Sequence, residues 1–172
     1  MCRVVLLGSI AVALAAVPAA GAHKPVFGVP ERPLDAVTSY AMYGVVDPAA
    51  KLRYRVRVGA ERRLLVELLI PDREPESARA RRALPRVTLR APDGTVLPVP
   101  AIRSPFDEPF TRTRYIRIGF RDAPAATGVY ELVVGSTVRS RFVLATGWRE
   151  DFGIGDTARL PAAVARVRAW YA

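Results

Sequence analysis

Lys51-Leu52-Arg53-Tyr54-Arg55-Val56-Arg57-Val58 alternates a basic residue with an apolar one at every step. Successive side chains of an extended strand point to opposite faces. Leu52, Tyr54, Val56 and Val58 therefore form one apolar face, and the four cations form the other. A helix would spread both sets around its circumference. The stretch predicts a strand of an antiparallel sheet, with one face on a core and one in solvent.

The same pattern extends outward. Gly59-Ala60-Glu61 reads as a turn into a second strand, Leu64–Ile70. Leu64, Val66, Leu68 and Ile70 share one face there, and Leu65 and Leu69 point to partial cover on the other. Tyr40–Val46 reads as a first strand. Pro71–Pro85 reads as a polar loop with helical turns within Ser77–Leu84. Val87–Ala91 and Thr95–Val99 flank Pro92-Asp93-Gly94, and Asp-Gly between alternating runs predicts a hairpin. Pro98, Pro100, Pro105 and Pro109 suit an edge and a loop better than a central strand. Tyr115–Phe120 is a further strand. Gly128–Gly135 and Val138–Ala145 read as a second hairpin turning at Gly135-Ser136-Thr137. About eight short strands separated by turns predict an all-β, antiparallel sandwich of jelly-roll or Ig-like type over residues 23–156. The C-terminus changes period: Pro161–Tyr171 reads as a short helix, with Asp156 or Thr157 as its cap. Val164, Val167 and Tyr171 on one face predict that residues 157–172 pack on the sandwich.

A chain of 172 residues accommodates one domain. Arg3 followed by the apolar run Val4–Val17 and by Ala20-Gly21-Ala22 has the form of a secretory signal peptide over residues 1–22. The run is short for a membrane span, which takes roughly 20 residues. Cleavage would remove Cys2, the single cysteine, and with it any disulfide or thiol chemistry. The expected location is the periplasm or the exterior.

The chain carries 26 Lys+Arg against 16 Asp+Glu, a formal charge of +10, and only Lys24 and Lys51 are lysine. Export disfavours a nucleic-acid partner for this charge. An anionic polysaccharide, a lipid surface or an envelope protein fits better. Lys51, Arg53, Arg55 and Arg57 on one strand face, joined by Arg139 and Arg141 if the strands are neighbours, would make a flat basic binding face. Arginine forks suit phosphate and carboxylate groups.

Three stretches in order resemble the bacterial pre-peptidase C-terminal domain, a small secreted β-sandwich. They are Tyr54–Val58 with Leu64–Leu68, Val87–Gly94 ending in Pro-Asp-Gly, and Ala126–Val134 with its Gly128-Val129-Tyr130-Glu131-Leu132 core. The resemblance covers about residues 50–145 and implies an accessory role in adhesion or secretion. The ends also resemble a group of uncharacterised exported prokaryotic proteins. The shared segments are His23-Lys24-Pro25-Val26-Phe27, Glu108-Pro109-Phe110-Thr111 and Gly147-Trp148-Arg149-Glu150-Asp151-Phe152-Gly153.

Enzymatic constellations are sparse, so no catalytic residue is assigned and a non-enzymatic module is expected. His23 is the single histidine, and no Gly-x-Ser-x-Gly surrounds a serine. The neighbouring carboxylates Asp107 with Glu108, and Glu150 with Asp151, are the only acid–base pairs to weigh. Cleavage after Ala22 would make His23 the first residue. Its free amine and imidazole would then offer copper a two-nitrogen bite, to be completed by an Asp, a Glu, a Tyr or Met42, whose softness would favour Cu(I). A copper-binding protein is the alternative to the binding module; otherwise no cofactor is expected. Trp148, Phe152, Trp170 and Tyr171 either close one end of the sandwich or form a stacking platform.

Overall fold

The structure, a computed structural model, describes residues 23–172 apart from the side chains of residues 154, 155, 157 and 158. The expected leader, with Cys2, lies outside the described residues. The strands run β1 (Lys24–Phe27), β2 (Leu34–Asp35), β3 (Tyr40–Val46), β4 (Lys51–Val58), β5 (Arg63–Pro71), β6 (Arg86–Arg90), β7 (Val96–Leu97), β8 (Ala101–Glu108), β9 (Thr113–Pro124), β10 (Gly128–Gly135) and β11 (Ser140–Thr146), followed by helix α1 (Ile154–Tyr171). A six-stranded sheet has the order β1-β3-β11-β5-β9-β8, and a five-stranded sheet the order β2-β4-β10-β6-β7. The all-β sandwich with a C-terminal helix is therefore observed, with eleven strands in place of about eight.

The two sheets close on the residues that period-two reading selects. Tyr54, Val56 and Val58 of β4 meet Leu64, Val66, Leu68 and Ile70 of β5, Leu132 and Val134 of β10 and Phe142 and Leu144 of β11 in one buried cluster. Lys51, Arg53, Arg55 and Arg57 stay exposed on the other side of β4. Each fully buried Leu or Val stabilises the fold by about 1.5–3 kcal/mol relative to exposure.

Three readings are corrected. First, β10 and β11 are not a hairpin. β10 pairs with β4 and β6, whereas β11 pairs with β3 and β5, so Gly135-Ser136-Thr137 carries the chain from one sheet to the other. Second, the sandwich is not wholly antiparallel. β1 pairs with β3, and β2 with β4, in parallel. The proline-rich stretch forms an edge, as expected: β8 is an eight-residue strand at the end of its sheet beside β9, where a missing N–H on the open side costs no ladder bond. Third, the helix spans 18 residues and starts at Ile154, which places Pro161 inside it. Asp156 accepts the Gly153 N–H at 3.1 Å and is held by Lys24 Nζ at 2.8 Å. The Asp93-Gly94 hairpin is present between β6 and β7. Gly94 has φ +87 there, and Asp93 accepts the Thr95 N–H at 2.9 Å.

Helix α1 covers the outer face of the six-stranded sheet. Val167 is buried with Ala41, Tyr43, Leu69, Tyr115, Val143 and Ala145. Trp170 meets Tyr43 edge-on at 5.0 Å, and Tyr171 meets Tyr115 at 5.4 Å. This second cluster explains the apolar Leu69 on the far face of β5. The opposite outer face, on the five-stranded sheet, has no helix over it among the described residues. The two sides of the sandwich thus differ: one is sealed and one is open.

Candidate functional site

The open face is built by strand register. Across it, β10 sets Val129 opposite Arg57, Glu131 opposite Arg55 and Val133 opposite Arg53. On its other side, β6 sets Arg90 opposite Glu131, Thr88 opposite Val133 and Arg86 opposite Gly135. Residues directly opposite share a face. Lys51, Arg53, Arg55, Arg57, Arg86 and Arg90 therefore lie on one surface, with Asp35 and Glu131 as its carboxylates.

Both carboxylates are engaged. Glu131 holds Arg53 at 3.0 Å. Asp35 accepts the N–H groups of Val37 and Thr38 at 3.0 and 2.6 Å and the Tyr40 hydroxyl at 3.0 Å. Burial opposes ionisation of Asp35, but these bonds outweigh it and hold the carboxyl below its usual range. Arg55 donates to the Glu31 carbonyl at 2.5 Å. Lys51, Arg57, Arg86 and Arg90 pair with no carboxylate among the described residues.

Arg139 and Arg141 do not belong to this face, because the chain has changed sheets before it reaches them. Arg139 pairs with Asp47. Arg141 lies on β11, on the side that carries α1, and its side chain is 17% exposed. Its guanidinium reaches Glu76 at 2.9 and 3.2 Å, the Tyr171 carbonyl at 2.8 Å and the Glu74 carbonyl at 3.2 Å. Glu76 also accepts the Arg141 N–H at 3.0 Å. Burial opposes ionisation of Glu76, yet these bonds hold its carboxyl below the usual range. Arg141 is a clamp between the 74–76 loop and the end of α1. Sequence reasoning missed Arg86 and Arg90 on the open face. The signal was present in Arg86-Val87-Thr88-Leu89-Arg90, which repeats the polar/apolar alternation of β4.

His23 sits on the sealed side. Its Nδ1 lies 2.5 Å from Ser39 Oγ, and the side chain lines a small buried space with Tyr43, Glu108 and Thr111 beneath Val167 of α1. Burial lowers its pKa, against the raising effect of Glu67, Glu108 and Glu150. Met42 is fully buried on the other face of β3, in the core between the sheets. His23 and Met42 are therefore not brought together. A two-nitrogen copper bite would have to displace Ser39 from Nδ1. No group of three or more His, Cys, Asp or Glu side chains able to hold a metal forms among the described residues.

The carboxylate neighbours diverge. Asp107 is exposed against Arg114 at 3.2 Å. Glu108 is buried and accepts from the N–H groups of Thr111 at 2.6 Å and Phe110 at 3.2 Å, and from the Thr111 hydroxyl. That chain of bonds continues through Thr113 to Tyr115 at 2.6 and 3.1 Å, and burial pushes the Tyr115 phenol up to about 12. It is a saturated structural network. Trp170 and Tyr171 are taken up by packing under α1, and Trp148 lies against Arg63 at 4.5 Å, so these three form no common platform. Gly147 has φ +80, and a Cβ there would meet the Thr38 carbonyl at 1.9 Å. That close approach lets Trp148 and Arg149 bond to the Val37 carbonyl at 3.0 and 2.9 Å.

No helix among the described residues is long and apolar enough to cross a membrane. Family models, curated proteins and solved structures were each compared with the chain, and none matches.

Proposed function

We propose that the protein is an exported, non-enzymatic accessory module that captures an anionic polymer on the outer face of its five-stranded sheet. One observation carries the reading: six cations share that face with two carboxylates that are already engaged. Strand register fixes the spacing of the stems that carry these charges. Polyanion capture of this kind acts through counterion release and electrostatic steering. The resemblance to pre-peptidase C-terminal domains supports an accessory role, and the leader-like residues 1–22 support export. Such a face meets polymers of the cell envelope or the cell surroundings.

The test is binding of fluorescently labelled polygalacturonate and polyphosphate at 50 and 200 mM NaCl. If four cations are engaged, the slope for a flexible polyanion is about −0.7 per charge, so affinity falls roughly 50-fold between the two salts. Arg53→Glu with Arg55→Glu abolishes most of the binding. Affinity that ignores salt, or survives this double charge reversal, contradicts the proposal.

A further inference from the structure

One end of the basic face is concave. A groove of about 370 Å³ opens where the start of β4, the end of β10, the 3-10 turn Arg81–Ala83 and the start of β6 converge. Lys51, Arg82 and Arg86 line it, together with Thr88, Ser136 and Thr137. Arg82 and Arg86 lie four residues apart, and the fold brings Lys51 of β4 to them. None pairs with a carboxylate among the described residues, and no acidic residue lines the groove. Ser136 Oγ accepts the Val138 N–H at 3.3 Å, which leaves its hydroxyl proton to donate outward. Val133, 9% exposed, gives the groove an apolar wall that strengthens charge–charge interactions beside it.

The donor set exceeds what a carboxylate can use. A carboxylate offers two oxygens and one charge. A phosphate monoester offers three strong acceptor oxygens and a charge of about −1.5 to −2 at neutral pH. Three cations and three hydroxyls around one concavity match the second group. The flat remainder of the face, with its evenly spaced arginines, makes no such distinction.

We infer that this groove binds a phosphate monoester, at the end of the face that holds the rest of the polymer. The inference rests on the polymer-capture reading and names its ligand class; the groove is testable without the face.

The probes are glucose 1-phosphate, inorganic phosphate and glucuronate, titrated calorimetrically into the full chain at pH 7.5 and pH 5.0. Glucose 1-phosphate should bind one-to-one and at least tenfold more tightly than glucuronate. It should weaken severalfold at pH 5.0, where the monoester loses its second charge, since its second pKa is about 6. Arg82→Ala with Arg86→Ala should cost at least tenfold. Arg53→Glu with Arg55→Glu should leave glucose 1-phosphate binding within about threefold while removing polygalacturonate binding. Both pairs are exposed, so unchanged thermal unfolding checks that the fold is intact.

Inorganic phosphate should bind within about threefold of the ester, since the donors that line the groove meet the phosphate group alone, and failure of both to bind overturns the inference. Equal affinity for glucuronate and glucose 1-phosphate, or no loss in the Arg82/Arg86 variant, overturns it. Sugar phosphate binding that persists when polygalacturonate and polyphosphate fail to bind in a salt-dependent way would keep the groove and refute the face.

Discussion

Arg141→Ala is expected to destabilise the fold by about 3 kcal/mol, although it removes what looks from sequence like a surface cation. The guanidinium donates to Glu76, to the Glu74 carbonyl and to the Tyr171 carbonyl. Without it, the Glu76 carboxylate, 3% exposed, keeps backbone N–H bonds and a distant Arg79 at 4.0 Å but no close cation. Removing one partner of a buried pair costs about 3–5 kcal/mol. Partial exposure of Arg141 places this case at the low end. For a domain of roughly 150–250 residues, each kcal/mol moves Tm by about 2–4 °C, so a fall of roughly 6–12 °C is expected. Thermal unfolding by circular dichroism at pH 7 measures it. Glu76→Ala and the double variant complete a cycle, in which a coupling above about 1 kcal/mol is expected. Polygalacturonate binding well below Tm should be unchanged. A Tm shift under 2 °C, or a coupling near zero, would refute the clamp. Lost polymer binding in a folded Arg141→Ala would restore this residue to the binding face.

Gly147→Ala should destabilise by more than about 3 kcal/mol, because a Cβ would sit 1.9 Å from the Thr38 carbonyl at φ +80; urea unfolding checks it, and a loss under 1 kcal/mol would show that the 37–39 and 147–149 segments separate easily. Leu132→Ala, at a fully buried core position, should cost about 2–5 kcal/mol by the same assay. The partly buried His23 has a pKa below its ordinary 6.5, because desolvation disfavours its charged form. Between the lowered value and 6.5 the unfolded chain binds more protons, so stability present above pH 6.5 is lost as pH falls through that window. His23→Gln should flatten the pH 7.5 to 5.5 part of the stability curve, and an unchanged slope would place that titration elsewhere. Below that range the lowered carboxyls of Asp35, Glu76, Asp122 and Asp156 add a second acid loss.

Strand period was legible because burial on one side of a strand imposes it residue by residue. The β4 reading placed Tyr54, Val56 and Val58 in the core and its four cations outside, as observed. Sheet membership was not legible. A three-residue turn such as Gly135-Ser136-Thr137 can close a hairpin or arch between sheets, and only the partners of β10 and β11 decide. That single ambiguity misplaced Arg139 and Arg141. The short strands β1 and β2 pair through backbone groups at sheet edges, with too few residues for a pattern to show. The groove of Lys51, Arg82 and Arg86 was equally hidden, since the fold alone brings Lys51 to the Arg82–Arg86 segment.

The most direct test of polymer capture is the salt dependence of polygalacturonate and polyphosphate binding to the wild-type chain beside Arg53→Glu with Arg55→Glu. The account predicts an affinity that falls roughly 50-fold from 50 to 200 mM NaCl and is largely lost on charge reversal. Tight binding that ignores both changes, or no binding of either polymer at 50 mM NaCl, would contradict it.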